Sequence, residues 1–457
     1  MNLKKLLRPY TSPNFRRRYH KFQAMLANIY YGFPSRRLRI VGVTGTNGKT
    51  TTAHLIGAVF QAAGYETAIA STVAFQIGDQ RETNSLNMTT PSPWVLQQFL
   101  AKAVRAGAHL AVIETTSHAI DQERIWGIHY DIVVLTNITH DHLDYHQTFE
   151  AYRQTKLRLF EGRPRVAVVN ADDPSAAQFL DQSASQQLTY GIEAKAAVTA
   201  RKLLVEATGT LFTAVTPIGQ VAINLALPGR FNILNALAAI AVGVSQGIGL
   251  ETIKQALEGV TTVPGRMERV DVGQEFVVLI DYAHTPDAFE QIYATLKPVT
   301  RGRLIHVFGA TGDRDRTKRP IMGALAARSA DYLVLTSDEP YSEDPEKIMD
   351  EIVEGLKRGR VRTEVRRQKT EDGRHVSTGK AEDRETGEGT WWERLADRRE
   401  AIEKALRLAR KDDVVLITGM GDERWMTVAD GEGGIRRIPW NERRIVKDIL
   451  LRTMQRV

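Results

Sequence analysis

The sequence contains no cysteine in its 457 residues. This absence excludes disulfide bonds, thiolate metal ligands and a cysteine nucleophile, and it agrees with the cytoplasmic location that we expect. No apolar run approaches the roughly 20 residues that a bilayer-spanning helix needs. The sequence also lacks the aromatic–basic interleaving and the finger spacing of nucleic-acid-binding proteins, so we expect no nucleic-acid partner.

The remaining composition is ordinary for a soluble globular protein, with 42% hydrophobic and 25% charged residues. The length of the chain predicts two or three domains. The net charge of +7 indicates anionic partners, and nucleotides or anionic lipid would both satisfy it.

The most informative motif is Val43-Thr44-Gly45-Thr46-Asn47-Gly48-Lys49-Thr50-Thr51. It lies between a β-branched run at 38–43 and a helical pattern at 53–63. Such a strand–turn–helix segment directs several backbone N–H groups at one point, where Lys49 adds positive charge and the Thr50 hydroxyl can reach a magnesium ion. The motif therefore predicts a phosphate cradle, and a plain tight turn is the alternative interpretation.

Alternating β-rich runs and helical stretches predict an α/β fold. We expect a central P-loop-type domain with a doubly wound parallel sheet over residues 39–263, and a C-terminal Rossmann-like α/β domain over residues 264–457. The break at Val263-Pro264-Gly265 predicts a hinge between the two domains. The strand candidates are 38–43, 110–114, 131–138, 165–170, 276–280, 303–308, 332–336 and 413–418.

Two segments fall outside this alternation. Residues 1–38 predict a short, basic, helical N-terminal extension, which either docks on the main body or lies on a membrane surface. Residues 361–390 are charged and weakly apolar, and we predict a disordered insertion there.

Polar motifs follow the predicted strands of the first domain, at the sheet edge where ligands bind in such folds. Glu114-Thr115-Thr116-Ser117-His118 offers a carboxylate to a magnesium ion, with a helix-capping box as the alternative. The segment from Asn137 to His146 holds three histidines and two aspartates, which favours divalent-metal or phosphate chemistry over a capped polar loop. Lys156, on a predicted helix, carries no signal by itself.

The second domain has two comparable motifs. Asp281-Tyr282-Ala283-His284-Thr285-Pro286-Asp287 follows a strand and is suited to a nucleotide ribose or base. The segment from Gly309 to Pro320 gathers four basic residues, which indicates an anion receiver or a flexible charged loop.

In this order, the motifs resemble those of one family of ATP-dependent amide-forming enzymes. The motifs that carry the resemblance are T-G-T-N-G-K-T-T, E-T-T-S-H-A, N-I-T-H-D-H-L-D-Y-H, D-Y-A-H-T-P-D, G-D-R-D-x-x-K-R-P and S-E-D-P. The chain resembles the Mur ligases from about residue 39 to 445 and, within them, the MurE branch of UDP-N-acetylmuramyl-tripeptide synthetases. The resemblance implies a reaction of peptidoglycan synthesis. In it, a diamino acid is added to a UDP-MurNAc-L-Ala-D-Glu-type precursor through an acyl-phosphate intermediate.

The resemblance also implies the roles of the site residues. ATP would be held by Gly45, Thr46, Asn47, Gly48, Lys49, Thr50, Thr51, Asn232, Asn235, Arg266, Asp281 and His284. Two Mg²⁺ ions would be held by Thr50, Glu114, His142 and Lys156, the last as a carbamate. The muramyl-peptide acceptor would contact Thr89, Thr90, Thr116, Gln122 and Arg124. The incoming amino acid would contact Arg314, Asp338, Glu339, Pro340, Tyr341, Gly419 and Glu423. The catalytic residues would be Lys49, Glu114, His142 and Lys156.

Three departures from the family pattern bear on the substrates. The MurE branch carries roughly a hundred residues before the phosphate loop, forming a domain that grips the uridine nucleotide, and we expect that domain to be lacking here. The family's D-N-P-R signature reads Asp338-Glu339-Pro340-Tyr341, and its G-K-G-H-E reads Gly419-Met420-Gly421-Asp422-Glu423. Tyr341 cannot clamp the distal carboxylate of diaminopimelate as an arginine does, so lysine or another diamino acid becomes a candidate, with Arg424 as a substitute for the missing charge.

Three hypotheses stay open. The leading one is a MurE-type amide ligase that acts on small molecules as a monomer, with domain closure about residues 263–266 and peripheral membrane contact through the N-terminal extension. The second is a Mur-like ligase that acts on a lipid-linked or polyglutamate-type acceptor. The third is a non-catalytic nucleotide-binding scaffold at the membrane.

Overall fold

The computed structural model describes residues 13–84, 86, 88–359, 362–369, 375–382, 389–431 and 434–455. Residues 1–12 of the predicted extension and residues 361, 370–374 and 383–388 of the predicted insertion therefore lie outside the described residues. The chain forms two compact units. The first comprises residues 1–203, 211–224 and 231–260, and the second comprises residues 204–210, 225–230 and 261–457.

The first part of the chain alternates helices with the strands of one large sheet. Its helices are α1 (Pro13–Tyr31), α2 (Lys49–Ala62), α3 (Pro93–Arg105), α4 (Ser117–Asp121), α5 (Leu143–His146), α6 (Phe149–Glu161), α7 (Ala176–Leu180), α8 (Arg230–Ser245) and α9 (Leu250–Gly259). Its strands are β1 (Arg39–Thr44), β2 (Thr67–Ala70), β3 (Ala74–Ile77), β4 (Gln80–Thr83), β5 (Leu110–Glu114), β6 (Ile132–Leu135), β7 (Val166–Asn170), β8 (Gln186–Gly191), β9 (Val198–Glu206), β10 (Gly209–Thr216) and β11 (Gly219–Leu225).

The described strands of this sheet follow the order β11-β10-β9-β8-β7-β6-β1-β5-β2-β3-β4. Strand β1 lies between β5 and β6 and is parallel to both, with Val43 opposite Glu114 on one side and Val134 on the other. All three strands are buried, because apolar β-branched residues fill both of their faces. The loops that follow β1, β5 and β6 therefore meet at one edge of the sheet.

Helix α1 is the described part of the predicted N-terminal extension, and it packs against α3. Ala24, Ala27 and Asn28 are buried, and the Asn28 side-chain amide donates hydrogen bonds to the carbonyl oxygens of Ala24 and Trp126 at 2.9 and 3.0 Å. Arg17 forms an ion pair with Asp121 at the end of α4. Docking of this helix on the main body, one of the two interpretations of the sequence, is therefore confirmed.

The second unit is built around a second sheet. Its helices are α10 (Pro286–Leu296), α11 (Lys318–Ser329), α12 (Pro345–Gly359), α13 (Arg398–Leu408) and α14 (Glu442–Met454). Its sheet strands are β12 (Glu268–Arg269), β13 (Val277–Asp281), β14 (Leu304–Phe308), β15 (Tyr332–Leu335), β16 (Arg362–Lys369), β17 (His375–Glu382), β18 (Gly389–Arg394) and β19 (Val414–Thr418). A separate two-stranded ribbon is formed by β20 (Trp425–Ala429) and β21 (Ile435–Pro439).

The described strands of the second sheet follow the order β12-β13-β19-β14-β15-β18-β17-β16. Strands β13, β19, β14, β15 and β18 run parallel, so the loops after β13, β14, β15 and β19 meet at one edge. The predicted α/β fold with two largely parallel sheets is confirmed.

The prediction of a disordered insertion over residues 361–390 is wrong for the part that the structure describes. Strands β16 and β17 pair antiparallel, with Arg362 opposite Glu382 and Lys369 opposite His375, and β17 continues the sheet through β18. The segment has few apolar residues, but edge strands are stabilised by backbone pairing with their neighbours, which composition does not reveal.

Among the described helices, none is both long enough and apolar enough to cross a bilayer.

A fully buried ion pair joins α13 to α14. The Arg398 guanidinium donates to both carboxylate oxygens of Glu442, with the Nε bond at 2.9 Å, and its other nitrogens reach the carbonyl oxygens of Thr418 and Ser337. Both side chains are at most 1% exposed. Removing one charge would leave the other buried without compensation.

We expect Glu442→Gln to lower the free energy of unfolding by about 3–5 kcal/mol, because Arg398 loses the charge of its paired carboxylate in a fully buried site. Urea unfolding followed by tryptophan fluorescence measures the change. The matched control is Glu403→Gln, which breaks a solvent-exposed pair with Arg407 and should cost under about 1 kcal/mol. Equal losses in the two variants would contradict the assigned role of burial.

Candidate active site

The phosphate loop follows β1, and α2 begins at its lysine. Gly45 and Gly48 have φ of +150° and +81°, and a Cβ on Gly48 would lie 2.3 Å from the Asn235 side-chain oxygen. Lys49 Nζ donates to the Thr46 carbonyl oxygen at 2.6 Å. The loop thus has a backbone path that only glycine follows without strain, and its first helical residue brings a positive charge back over the turn.

Residues after β6 hold this loop in place. The Asn47 backbone N–H donates to the Asn137 side chain at 2.9 Å, and the Thr136 hydroxyl donates to the Asn47 carbonyl oxygen at 2.6 Å. Thr51 is buried within α2. The loop is therefore held by hydrogen bonds to the segment that directly follows β6.

Glu114 lies at the end of β5, directly beside the loop. Its two carboxylate oxygens accept from the Thr50 hydroxyl at 3.1 and 3.0 Å. Both also accept from the Thr72 hydroxyl, and one accepts from the Thr72 backbone N–H at 2.9 Å. A hydroxyl and a carboxylate at this separation suit Mg²⁺, which takes one or two protein oxygens and completes its shell with water and phosphate.

Four of the five predicted acceptor residues are linked by hydrogen bonds next to Glu114, either directly or through Thr72 and Thr90. The Thr90 hydroxyl donates to the Glu114 carbonyl oxygen at 2.8 Å and lies 3.2 Å from the Thr116 hydroxyl. Arg124 donates to the Thr90 carbonyl oxygen. The Thr72 hydroxyl also reaches the Thr89 hydroxyl at 3.0 Å.

The fifth predicted acceptor residue is Gln122, whose side-chain amide donates to the Tyr145 hydroxyl at 3.3 Å. Burial lowers the pKa of Arg124 to about 10, which still leaves its guanidinium charged near neutral pH. The acceptor group therefore combines hydroxyls with one buried cation.

Lys156 projects from α6 into the interior beneath the loop. It is buried, and its Nζ donates to the Gly45 carbonyl oxygen at 2.8 Å. Burial, together with the positive charge of Lys49, holds the pKa of Lys156 well below its usual range. A neutral amine is the form that reacts with carbon dioxide, so the structure is compatible with a carbamate at this position.

His142 and Lys156 share one aromatic neighbour, Tyr152. The Lys156 Nζ is 4.6 Å from the centroid of the Tyr152 ring, and the His142 ring centroid is 6.2 Å from it. The Tyr152 hydroxyl lies 3.0 Å from the Thr46 hydroxyl of the phosphate loop. Burial and the nearby histidines lower the pKa of His118 to about 3, so this ring, 4.8 Å from His142, is neutral.

No group of three or more histidine, aspartate or glutamate side chains in the described parts of the chain has a metal-holding arrangement. The predicted magnesium ligands instead combine a hydroxyl, a carboxylate and an imidazole. Such a set needs phosphate and water oxygens to complete the coordination of a hard cation.

Asn235 on α8 contacts the first turn of α2 beside Gly48, and Asn232 lies behind it on the same helix. Their side chains are joined by a 3.0 Å hydrogen bond, and the Thr52 hydroxyl donates to Asn235 at 3.2 Å. Asn235 thus supports Gly48 and the first turn of α2.

The second unit gathers the other predicted nucleotide residues. Asp281 ends β13, and its carboxylate accepts from the backbone N–H groups of Met267 and Ala283 at 2.7 Å. Burial raises the pKa of this carboxyl. The Arg266 guanidinium stacks 4.5 Å from the centroid of the Tyr282 ring, and His284 Nδ1 donates to the Tyr282 carbonyl oxygen at 2.8 Å.

The predicted amino-acid pocket of the same unit holds a cluster of carboxyl groups. Burial raises the pKa of Asp338 to about 6 and that of Glu423 to about 7, and the negative charge of Glu339 adds to both shifts. The Glu339 carboxylate accepts from the hydroxyl and the backbone N–H of Thr427 at 2.8 and 3.2 Å. Near neutral pH, Glu423 is therefore divided between its neutral and charged forms.

Tyr341 occupies the place of the family's arginine. Its hydroxyl donates to Glu339 at 3.4 Å, and the Arg314 guanidinium lies 5.7 Å from the centroid of its ring. Gly419 is required beside this pocket, because its φ is +112° and a Cβ would lie 2.7 Å from the Asp338 carboxylate. Pro340 also packs closely, since a Cβ on Gly312 would lie 1.9 Å from its carbonyl oxygen.

The segment from Gly309 to Pro320 is only partly available as an anion receiver. Arg319 is buried and paired with Glu343 and Glu351, both at 2.9 Å, and Arg316 also pairs with Glu351. Two of the four basic residues thus hold the loop to α12 and to the segment before it, and the anion-receiver role stays a prediction for Arg314.

Sequence reasoning assigned no role to Thr72 or Tyr152. Thr72 follows β2 within an unremarkable Ser-Thr-Val stretch, and its importance depends on the pairing of β2 with β5. Tyr152 precedes Lys156 by one helical turn. This spacing predicts that the two side chains lie on the same face of the helix, but it does not predict a functional role.

Comparison with known proteins assigns the chain to a family. Residues 43–243 match the Mur ligase middle domain, and residues 265–421 match the Mur ligase glutamate ligase domain. The chain belongs to the Mur ligase family. It is an ATP-dependent ligase, as the sequence predicted.

Several curated relatives cover most of the chain. It is 39% identical over 413 residues to UDP-N-acetylmuramoyl-L-alanyl-D-glutamate–2,6-diaminopimelate ligase of Bacillus cereus, covering 89% of this chain and 77% of that protein. It is 40% identical over 435 residues to UDP-N-acetylmuramyl-tripeptide synthetase of Roseiflexus, covering 92% and 80%.

Solved structures agree with this assignment. A structure of UDP-N-acetylmuramoyl-L-alanyl-D-glutamate–2,6-diaminopimelate ligase matches with a TM-score of 0.62 and 31% identity, over 97% of this chain and 84% of the other. The folylpolyglutamate synthase of Mycobacterium tuberculosis matches with a TM-score of 0.68 and 19% identity, over 87% and 92%, which shows a common fold.

We expect Gly48→Ala to weaken ATP binding by at least about tenfold, because the added Cβ collides with Asn235 and displaces the loop. Isothermal titration with ATP measures this. The matched control is Gly64→Ala, where φ is +83° but nothing lies within 4 Å of the added carbon. Its backbone strain is the same, so its ATP affinity should be unchanged; equal losses would refute the role of the Asn235 contact.

Proposed function

We propose that this Mur ligase joins a diamino acid to a UDP-MurNAc-L-Ala-D-Glu-type acceptor in peptidoglycan synthesis, with ATP as the energy source. The curated relatives are named for this reaction with 2,6-diaminopimelate or for the corresponding tripeptide synthesis. We further propose that it works in the cytoplasm as a monomer.

One observation carries the proposal: Glu114 joins the phosphate loop to the acceptor group. Its carboxylate accepts from Thr50, while its carbonyl oxygen accepts from Thr90. A γ-phosphate beside Thr50 and an acceptor carboxylate beside Thr90 would therefore be neighbours, which in-line phosphoryl transfer requires.

In the first step, the loop N–H groups and Lys49 hold the triphosphate, and Thr90, Thr116 and Arg124 orient the acceptor. The terminal carboxylate oxygen of the acceptor attacks the γ-phosphorus, the bond to the bridging oxygen breaks, and acyl phosphate and ADP result. Lys49 offsets the charge that develops on the transferred group. Bound Mg²⁺, held by Thr50 and Glu114, would polarise the phosphate oxygens.

We propose that a second Mg²⁺ is held by His142 and by Lys156 as its carbamate. The neutral Lys156 amine adds to carbon dioxide and loses one proton, which converts a buried base into an anion. Burial of the amine and the proximity of Lys49 support this, because both disfavour the ammonium form and Lys49 would compensate the carbamate charge.

In the second step, the amine of the incoming amino acid attacks the acyl carbon, phosphate leaves, and the nitrogen loses its proton. Asp338, Glu339 and Glu423 form an acidic pocket that suits the ammonium groups of a diamino acid. Arg314 over the Tyr341 ring offers one cation to a carboxylate. Diaminopimelate and lysine both fit this description, and they differ in the need for a second carboxylate clamp.

Phosphate release tests the function. We expect release with UDP-MurNAc-L-Ala-D-Glu only when ATP and lysine, diaminopimelate or ornithine are also present, because the acyl phosphate turns over only when an amine captures it. Release with a lipid-linked muramyl dipeptide or a polyglutamate acceptor, but not with the nucleotide form, would assign a different acceptor. If the protein binds ATP but releases no phosphate with any combination of acceptor and amino acid, it is a non-catalytic nucleotide-binding scaffold.

We expect Lys156→Ala to lower kcat by at least about a hundredfold and Lys156→Glu to recover part of it, because the glutamate restores an anion near the required place. The matched control is Lys102→Ala, at an exposed position on α3, which should leave kcat unchanged. Full activity of Lys156→Ala in the phosphate-release assay would contradict the proposed role of a carbamate on Lys156.

A further inference from the structure

The outer face of α1 is an apolar surface in contact with solvent. Seven large apolar or aromatic side chains recur along it at helical spacing, and we call them the α1 stripe: Phe15, Tyr19, Phe22, Met25, Leu26, Ile29 and Tyr30. Phe22, Ile29 and Tyr30 are 58%, 64% and 74% exposed. The stripe continues onto α3, where the partly exposed Trp94 ring lies 5.8 Å from the Tyr30 ring.

The opposite face of the helix fixes the direction of this surface. Ala24, Ala27 and Asn28 are buried against the main body, and Arg17 is paired with Asp121. At 100° per residue these positions lie across the helix axis from the α1 stripe. The stripe therefore faces outward because the helix is docked on its other side, and contiguous exposed apolar surface of this kind marks an interaction site.

The charged side chains of α1 are all of one sign. At 100° per residue, Lys21 lies along one border of the stripe and Arg16 lies along the other, while Arg18 lies within the stripe between Met25 and Ile29. Helix α1 contains no acidic residue, and the first acidic residue in the whole sequence is Glu66. The apolar face is thus bordered on both sides by cations.

We propose that the α1 stripe binds the surface of an anionic lipid bilayer. The apolar side chains would enter the boundary between headgroups and acyl chains, while Arg16, Arg18 and Lys21 pair with anionic headgroups. Tyr19, Tyr30 and Trp94 are residue types that favour this interfacial depth. This goes beyond the proposed function, since the ligase reaction itself needs no membrane.

A second copy of the chain fits the stripe less well. A two-fold dimer through this face would bring the cationic borders of two α1 helices together, with no acidic partner on either helix. Like charges in such an interface are unfavourable, whereas a bilayer containing anionic lipid supplies the complementary sign.

The proposed contact has a consequence for the acceptor group. Arg17 of α1 pairs with Asp121, which also accepts from the Tyr145 hydroxyl that Gln122 contacts. Helix α1 is thus connected to one predicted acceptor residue, Gln122, by three successive contacts that run through Asp121 and Tyr145 within one unit.

Sedimentation of the full-length protein with vesicles tests the proposal. We expect binding to phosphatidylcholine–phosphatidylglycerol vesicles and at least about tenfold weaker binding to phosphatidylcholine alone, with loss of binding at about 1 M salt. Ile29→Glu should lower the partition coefficient at least about tenfold. Replacing both Arg18 and Lys21 with glutamine should lower it about twenty-five-fold, at roughly fivefold for each cation.

The matched control is Ile321→Glu on α11. Ile321 is 50% exposed, so the change removes a comparable exposed isoleucine and adds the same charge on a helix far in sequence from the stripe. It should bind vesicles as the unaltered protein does. Circular dichroism and unchanged phosphate release with soluble substrates would show that Ile29→Glu and the control are both folded.

Three results would overturn the proposal. Equal losses of binding in Ile29→Glu and Ile321→Glu would remove the role of the stripe. A concentration-dependent dimer by light scattering, abolished by Ile29→Glu, would assign the face to a second copy. Deletion of residues 2–12 that abolishes vesicle binding, while Ile29→Glu retains it, would place the contact in the leading segment.

Discussion

The candidate chemistry depends on the position of one carboxylate, that of Glu114. Because β5 pairs directly with β1, this residue ends its strand beside the phosphate loop, and its side chain and its carbonyl oxygen serve different neighbours. Thr50 and Thr72 orient the carboxylate, while Thr90 binds the carbonyl oxygen. The parallel register of two strands therefore sets the spacing between the phosphate loop and the proposed acceptor residues.

Burial tunes the ionisable groups of the two units in the same direction, toward neutrality. In the first unit it disfavours the cations of Lys156 and His118. In the second unit it disfavours the anions of Asp338 and Glu423. Burial thus keeps both units from storing large unpaired charges of their own.

The fold and the main motifs were predictable because their signals are local: a β-branched run, a glycine-rich turn and a helical period identify the phosphate loop without any tertiary information. The errors and omissions are non-local. Thr72 acquires its role only through the pairing of β2 with β5, and Arg319 is neutralised by Glu343 and Glu351 from a later part of the chain. The hairpin of β16 and β17 was missed because backbone pairing, not apolar content, defines it.

The support that α8 gives to the phosphate loop also has a consequence for synthesis of the chain. Asn235 contacts Thr52 across 183 positions of sequence and limits the space beside Gly48. At about 5–20 residues per second, a ribosome needs roughly 10–40 seconds to travel that distance. A nascent chain therefore displays the glycine-rich turn well before the helix that braces it has emerged, and a fully braced nucleotide cradle is a late product of translation.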